Sequence, residues 1–355
     1  MQSTGVHNND GMVSFWQTLY EFPKRQPSAV TSSFASVSPD PVLTSVETSV
    51  QAVHWMITNR GGFALLTGLV MVPSQFNISM SAAQNVIQEA AKKNRIESIK
   101  LTLEDGSHLE GIIYYPDGWK REDDSRAVLY HNPNGATIAD FFSRNTLTWT
   151  VGEIARIRHC PIIMYDYRGT GLSQENSCTS LAFRPTYHSV VVDGTAMQTY
   201  ALARFKYIEA WGSSLGGAVG TKALDAHLSK FPLDAKRVDW TNHDSLTTTS
   251  RVIIPSLGWV ADYIGAPLGG NLDAETSMKA LIQCGIKITV LCHQKDPVIP
   301  QGARMAELIE SLGPKDNIRL IYSPYRGHAN LSGDMLADLQ KPWQPTFPVF
   351  ANSDA

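Results

Sequence analysis

The stretch that decides the fold is "YIEAWGSSLGGAVGTKAL", residues 207–224. A strand-like run, "YIEAW", leads into Gly212-Ser213-Ser214-Leu215-Gly216, and a small-residue, helix-like run follows. A serine hydroxyl is a weak nucleophile that needs exposure, a base and a nearby anion site. A G-x-S-x-G turn between strand and helix provides the exposure, because the bend is too tight for a Cβ at the flanking positions. In that frame Gly212 and Gly216 bracket Ser214. A frame centred on Ser213 would need glycine where Trp211 and Leu215 stand. Gly217, Ala218 and Gly220 would let the following helix lie close to the sheet. Alone, the motif reads equally as a glycine-rich turn; the strand before it and the helix after it favour the elbow.

Short apolar runs recur on both sides of this motif, at 127–131, 161–166, 207–211, 237–241, 288–292 and 318–323. Helix-length segments separate them, at 139–157, 190–203, 215–228, 277–283 and 301–312. Such alternation predicts a mostly parallel sheet with helices on both faces. Ahead of it, residues 96–116 alternate apolar and polar on either side of Asp105-Gly106, which predicts an antiparallel edge hairpin.

A nucleophile needs a base, and the base needs an orienting carboxylate. In a sheet of this kind both should follow the serine, acid first, in loops beyond strand ends. "ITVLCHQKDPVIP" offers Asp296 and "IRLIYSPYRGHANL" offers His328. Singly, Asp296-Pro297 could be a turn and His328 a solvated loop residue; in order and at successive strand ends, they read as acid and base. Asp244, after the strand that follows the elbow, is the rival acid, with His243 beside it. His293 lies too near Asp296 in the same loop to be its partner, and His131 precedes the serine. An oxyanion needs backbone N–H donors. Leu215, directly after the nucleophile at a helix N-terminus, supplies one. The loop "HNPNGAT" should supply the second from Asn134, with Gly135 close behind, since Pro133 has no N–H.

These motifs together resemble the α/β-hydrolase superfamily, over about residues 96–331. "MYDYRGTGLSQ" resembles the D-x-R-G-x-G-x-S signature, here Asp166, Arg168, Gly169, Gly171 and Ser173, which reads as structural support. "GSSLGG", "HQKDPVIP" and "RGHAN" resemble the nucleophile, acid and base loops. "HNPNG" resembles the oxyanion loop, with Asn132-Pro133 where His-Gly is common. The resemblance implies a Ser214, Asp296, His328 triad and no cofactor. It also implies a short cap at about 250–278, with Trp259, Tyr263 and Ile264 toward a substrate pocket, more as in esterases and thioesterases than in large-lidded lipases. In overall style the chain is also similar to uncharacterised hydrolase-like proteins of chlamydiae and legionellae, some delivered into host cells.

Length and composition are those of an ordinary globular domain with material for a sizeable core. The chain has 355 residues, 43% of them hydrophobic and 18% charged, with net charge −3, so no basic field invites nucleic acid. Cys160, Cys178, Cys284 and Cys292 form no CxxC pair, which argues against a zinc site and for reduced thiols. The first residues lack a signal-peptide pattern. The most apolar segment, 61–73, is too short to cross a bilayer and reads as a buried helix, with peripheral membrane contact as the other reading. We therefore expect an N-terminal extension over 1–93, an α/β domain over 94–335 and a tail over 336–355. Residues 27–50 read as a linker and 46–58, 62–71 and 81–93 as helices, the last capped by Ser81. The expected activity is cleavage of a small-molecule or lipid acyl ester or thioester by a serine hydrolase, in the cytoplasm or in a host cell. The competing expectations are a binding or effector protein on a hydrolase scaffold, and an acyltransferase using the same residues.

Overall fold

The hairpin at Asp105-Gly106 forms as its alternation requires. In the computed structural model, which describes residues 79–120, 125–143, 146–174, 185–253 and 271–347, β1 (Arg95–Thr102) pairs antiparallel with β2 (His108–Tyr115). Gly106 takes φ +81° and donates to Leu103 O, a backbone state open to glycine at little cost. The expected helices at 46–58 and 62–71, the linker at 27–50, the 61–73 segment, Cys178, Trp259, Tyr263 and Ile264 lie outside the described residues.

Six further strands complete the main sheet: β3 (Arg126–His131), β4 (Ile162–Tyr165), β5 (Tyr207–Ser213), β6 (Val238–His243), β7 (Ile288–His293) and β8 (Ile318–Ser323). Their order is β1-β2-β4-β3-β5-β6-β7-β8. β2 runs antiparallel to β4, and every pair from β4 through β8 is parallel. This is the α/β-hydrolase fold: a mostly parallel sheet with an antiparallel edge and helices on both faces.

The two-residue period of the strands sorts the core into two layers. Leu129, Ile163, Ile208, Ala210, Trp240 and Val290 pack on one face against α3 (Tyr187–Arg204), α4 (Leu215–Lys230), α6 (Glu275–Gln283) and α7 (Met305–Leu312). Val128, Tyr130, Ile162, Met164, Trp211 and Leu291 pack on the other against α1 (Met80–Ala91), α2 (Trp149–Arg158) and α8 (Gly333–Gln340). A further short helix, α5 (Thr249–Ile253), follows β6. α4 rides close on the sheet because it carries glycine: a Cβ on Gly220 would fall 2.4 Å from the Trp240 ring.

Three expectations are corrected. The segment 139–157 is not one helix: a 3-10 turn (Ile138–Phe141) is followed by a two-stranded ribbon, Phe142–Ser143 with Thr146–Leu147, and only then by α2. Thr137 and Asp140 close that first turn on each other, and Trp149 enters α2 at φ +57°, where a helix running through would need a negative φ. α1 is capped by Ser79, whose Oγ accepts from Ala82 N–H at 3.3 Å, rather than by Ser81. The helix expected at 301–312 starts only at Met305, since Gly302 turns at φ +80° and Arg304 is extended. In addition, α8 spans the position where a tail was expected to begin and buries Met335 and Leu339. No helix among the described residues is long and apolar enough to cross a membrane. Cys160, Cys284 and Cys292 are free thiols, the first and last of them buried.

Candidate active site

β5 ends in the elbow, and the backbone there is strained. Ser214 sits at φ +55°, ψ −123°, a region that a residue with a Cβ occupies only when its surroundings enforce it. They do. Ser214 N–H donates to His243 O at 2.9 Å. A Cβ on Gly212 would fall 2.3 Å from Gly216 O, and one on Gly216 would fall 2.1 Å from His131 O. The bend therefore exists only with glycine at both flanks, and it lies hard against the end of β3. The two serines part company here. Ser213 is fully buried and its Oγ accepts from the Tyr130 hydroxyl at 3.1 Å, whereas Ser214 is 6% exposed at the end of the sheet.

His328 and Asp296 arrive from the loops after β8 and β7. His328 Nε2 lies 2.9 Å from Ser214 Oγ, and Nδ1 lies 2.8 Å from Asp296 Oδ2. An ionised carboxylate can only accept, so Nδ1–H donates to Asp296 and Nε2 accepts a hydrogen bond from the Ser214 hydroxyl. Asp296 is fixed in turn: its Oδ1 accepts from Val298 N–H at 2.7 Å and Ile299 N–H at 3.1 Å. The buried Arg304 guanidinium donates to the carbonyls of Gln294, Asp296 and Ile299 and so holds the whole loop. A lone arginine eight residues downstream carried no sequence signal for that task.

Asp244 and its neighbours form a buried hub beside this chain. Asp244 Oδ1 accepts from His293 N–H and Oδ2 from His293 Nδ1–H, at 2.8 and 2.7 Å. His243 Nε2 lies 3.2 Å from the same Oδ2. Oδ2 also accepts from Ala329 N–H at 2.8 Å, which ties the hub to the residue after His328. Ala329 itself sits at φ +56°, and its carbonyl accepts from Thr150 Oγ1. Asp244 thus holds the loop that carries His328, while the imidazole's own hydrogen bond goes to Asp296. His243 and His293, which looked like rivals along the chain, are its partners. His243, Asp244 and His293 bring ligand atoms within 4.8 Å of one another, as do Asp244, Asp296 and His328, so these are the positions a cation could approach. Both groups share Asp244, whose oxygens are already engaged.

The electrostatics follow from this packing. Burial by itself would push the His328 imidazole below its ordinary range. The Asp296 hydrogen bond and charge, joined by the Asp244 charge, outweigh it and hold the group above that range. The hub carboxylate shows the opposite balance: burial pulls Asp244 up, but the two histidines and His328 bring it well below the usual carboxylate range.

The expected oxyanion donors lie on the two segments that meet at the elbow. Leu215 is the first residue of α4, where an N–H has no intrahelical partner. Asn134 follows β3 in the loop whose first backbone carbonyls, His131 O and Asn132 O, pack against Gly216. The Asn132-Pro133 departure has a structural use: Asn132 Nδ2 donates to Tyr165 O at 2.8 Å and Asn132 O accepts from the Tyr167 hydroxyl at 3.1 Å, locking this loop to the end of β4.

Compared with models of protein families the chain matches none, and compared with curated proteins it matches none either. Among solved structures it is similar to an esterase of Pyrococcus furiosus, at 13% identity over 68% of this chain and 84% of that one, with a TM-score of 0.45. An acetyl xylan esterase of a Thermoanaerobacterium species gives 12% identity over 72% and 92%, with a TM-score of 0.42. A Pyrobaculum calidifontis esterase gives 15% over 81% and 89%, with a TM-score of 0.38. At such values the fold assignment rests on the strand order and the elbow themselves.

Proposed function

We propose that the protein is a serine hydrolase that cleaves a carboxylic ester or thioester through an acyl-enzyme, with Ser214 as nucleophile, His328 as base and Asp296 as the orienting acid. The observation that carries this reading is the continuous hydrogen-bond path from a positive-φ elbow serine through His328 to Asp296, at 2.9 and 2.8 Å. Ser214 Oγ attacks the acyl carbonyl as its proton passes to His328 Nε2. The tetrahedral oxyanion rests on the N–H groups of Leu215 and Asn134. His328 then protonates the departing alcohol or thiol, leaving the acyl group on Ser214. Water, giving a proton to the same nitrogen, attacks the acyl-enzyme; collapse releases the carboxylic acid and returns the proton to Ser214. Asp296 keeps Nδ1 protonated throughout and stabilises the imidazolium.

A fluorophosphonate probe tests the assignment. One equivalent should attach to the wild-type chain, on the peptide that contains Ser214, and none to Ser214→Ala. Undiminished labelling of the alanine variant would place the nucleophile elsewhere.

The pH profile tests the base. Only neutral imidazole accepts the serine proton, so kcat/KM should rise with pH through the His328 pKa, with a midpoint above the ordinary imidazole value. Asp296→Asn removes the main group that raises it. The ascending limb should then move to lower pH, and its plateau should drop by roughly 10⁴. An unmoved midpoint would show that another group titrates.

A further inference from the structure

The far end of the sheet holds a cavity of about 820 Å³, at the starts of β3 and β5–β8 on the face that carries α2 and α8. Glu209 in its floor is five residues of β5 from Ser214, about 17 Å along the strand. The strand register builds its floor: Glu209 pairs with Asp239, Thr241 with Thr289, and Thr289 with Arg319, all with side chains on the same face. Farther along the same strands that face is apolar, with Trp211, Leu291 and Ile321. Arg158 at the end of α2 and residues 339–343, at and just past the end of α8, form the walls, and Trp343 Nε1–H donates to Thr289 Oγ1 at 3.3 Å.

The charge in this cavity is unbalanced. Arg126, Arg158, Lys206, Lys287, Arg319 and Lys341 line it against two carboxylates, Glu209 and Asp239. Glu209 is already spent on two guanidiniums, Arg158 through Nε and Nη2 and Arg126 through Nη2, at 2.8 to 2.9 Å. Lys341 is paired with Asp338. Arg319 differs from these. It is 6% exposed, its Nη2 donates to the carbonyl of Asp338 at 2.5 Å, and it makes no ion pair among the described residues. Burial, helped by the Arg158 charge, pulls its guanidinium below the usual range against the opposing charge of Asp338. Asp338 is the carboxylate whose charge acts on Arg319, and Lys341 already pairs with it; a guanidinium fork matches a phosphate in both geometry and sign. The Lys287 ammonium, on the rim, lies 5.4 Å from the Trp343 ring centre. A volume near 820 Å³ is that of a small-molecule pocket, and this lining selects an anion.

We propose that this cavity is a second ligand site, remote from Ser214, that takes a small phosphate-bearing molecule on Arg319 with Lys206 and Lys287 at its entrance. The test is calorimetric titration of the full chain with sodium pyrophosphate, alongside thermal unfolding in pyrophosphate and in sodium chloride of equal ionic strength. The wild-type protein should bind about one equivalent saturably and gain thermal stability that chloride does not give. Lys206→Gln/Lys287→Gln should weaken binding by about tenfold, the scale of one lost charge-assisted hydrogen bond. The same variant should hydrolyse esters at the wild-type rate without pyrophosphate. Arg319→Gln should abolish binding; if that variant fails to fold, the lysine pair decides. Equal stabilisation by chloride, or an unchanged affinity in the lysine variant, would overturn the proposal.

Discussion

With Ser214 replaced by alanine, kcat/KM for a short p-nitrophenyl ester should fall by roughly 10⁴ to 10⁶, with KM changed only a few-fold. The effect falls on kcat because the Oγ bond to the acyl carbon exists only in the transition state and beyond. His328→Ala should lose about as much, since the hydroxyl that its Nε2 faces at 2.9 Å is then attached to no base. The decisive measurement is the double variant. Two groups that act as one unit fail together, so Ser214→Ala/His328→Ala should be no worse than either single change. Residual turnover should reflect the Leu215 and Asn134 donors and substrate binding alone. Losses that multiplied in the double variant would mean that serine and histidine contribute separately, and the mechanism proposed above would be wrong.

How far the chain could be read in advance depends on what each signal encodes. The strands at 127–131, 207–211, 288–292 and 318–323 were legible because both faces of a parallel sheet are covered, so each reads as a short, mostly apolar run rather than as an alternation. Residues 139–157 misled for the opposite reason. Leu147, Val151 and Ile154 are buried at helical spacing, and the buried Ala139, Phe141 and Phe142 ahead of them extend the apolar stretch without an obvious break. What breaks the segment is local: the mutual closure of Thr137 and Asp140, and a positive φ at Trp149. α8 was missed because eight residues bury only Met335 and Leu339, too few for a periodic signal.

The elbow was legible at the level of single atoms, since a Cβ at position 212 or 216 has nowhere to go. The hub around Asp244 was not. Its contacts come from register and loop placement: β5–β6 pairing sets Ser213 beside His243, and only the path of the loop after β8 brings Ala329 N–H to Asp244. Along the chain, Asp244 looks like a rival acid and His243 and His293 like rival bases, because a sequence gives the order of strand ends but not which loops touch. The basic cavity was hidden in the same way. Arg126, Lys206, Lys287 and Arg319 each stand at or near the start of a different strand, where a single charge is ordinary. Their convergence is a property of the sheet order.

The Arg168 side of the "DYRGTG" loop carries the largest expected effect on stability. Arg168 donates to Asp193 on α3 through its backbone N–H at 2.9 Å, Nε at 2.8 Å and Nη2 at 2.6 Å, and to Asp105 in the β1–β2 turn through Nη1 at 2.6 Å. It therefore pins the hairpin, the end of β4 and α3 to one another. The two carboxylates differ in worth. Asp105 is half exposed, and that pair should contribute about 1 kcal/mol or less. Asp193 is fully buried, so Arg168→Leu leaves a carboxylate in the core with its strongest donors gone, and should cost about 3–5 kcal/mol in chemical denaturation. Burial already raises the Asp193 carboxyl above its ordinary range, against the opposing charge and hydrogen bonds of Arg168; without Arg168 it rises further. A carboxyl whose folded pKa lies above its unfolded one binds protons more tightly in the native state, so its contribution to stability falls as pH rises through that window. The deficit of Arg168→Leu relative to wild type should therefore shrink as pH is lowered through the interval between the variant's higher Asp193 pKa and the wild-type value of about 6, and level off below it. Arg168→Leu/Asp193→Leu should recover much of the loss at neutral pH, because an apolar pair needs no counter-charge. A deficit that neither shrinks with acid nor recovers in the double variant would assign the cost to lost packing around the arginine stem rather than to a stranded charge.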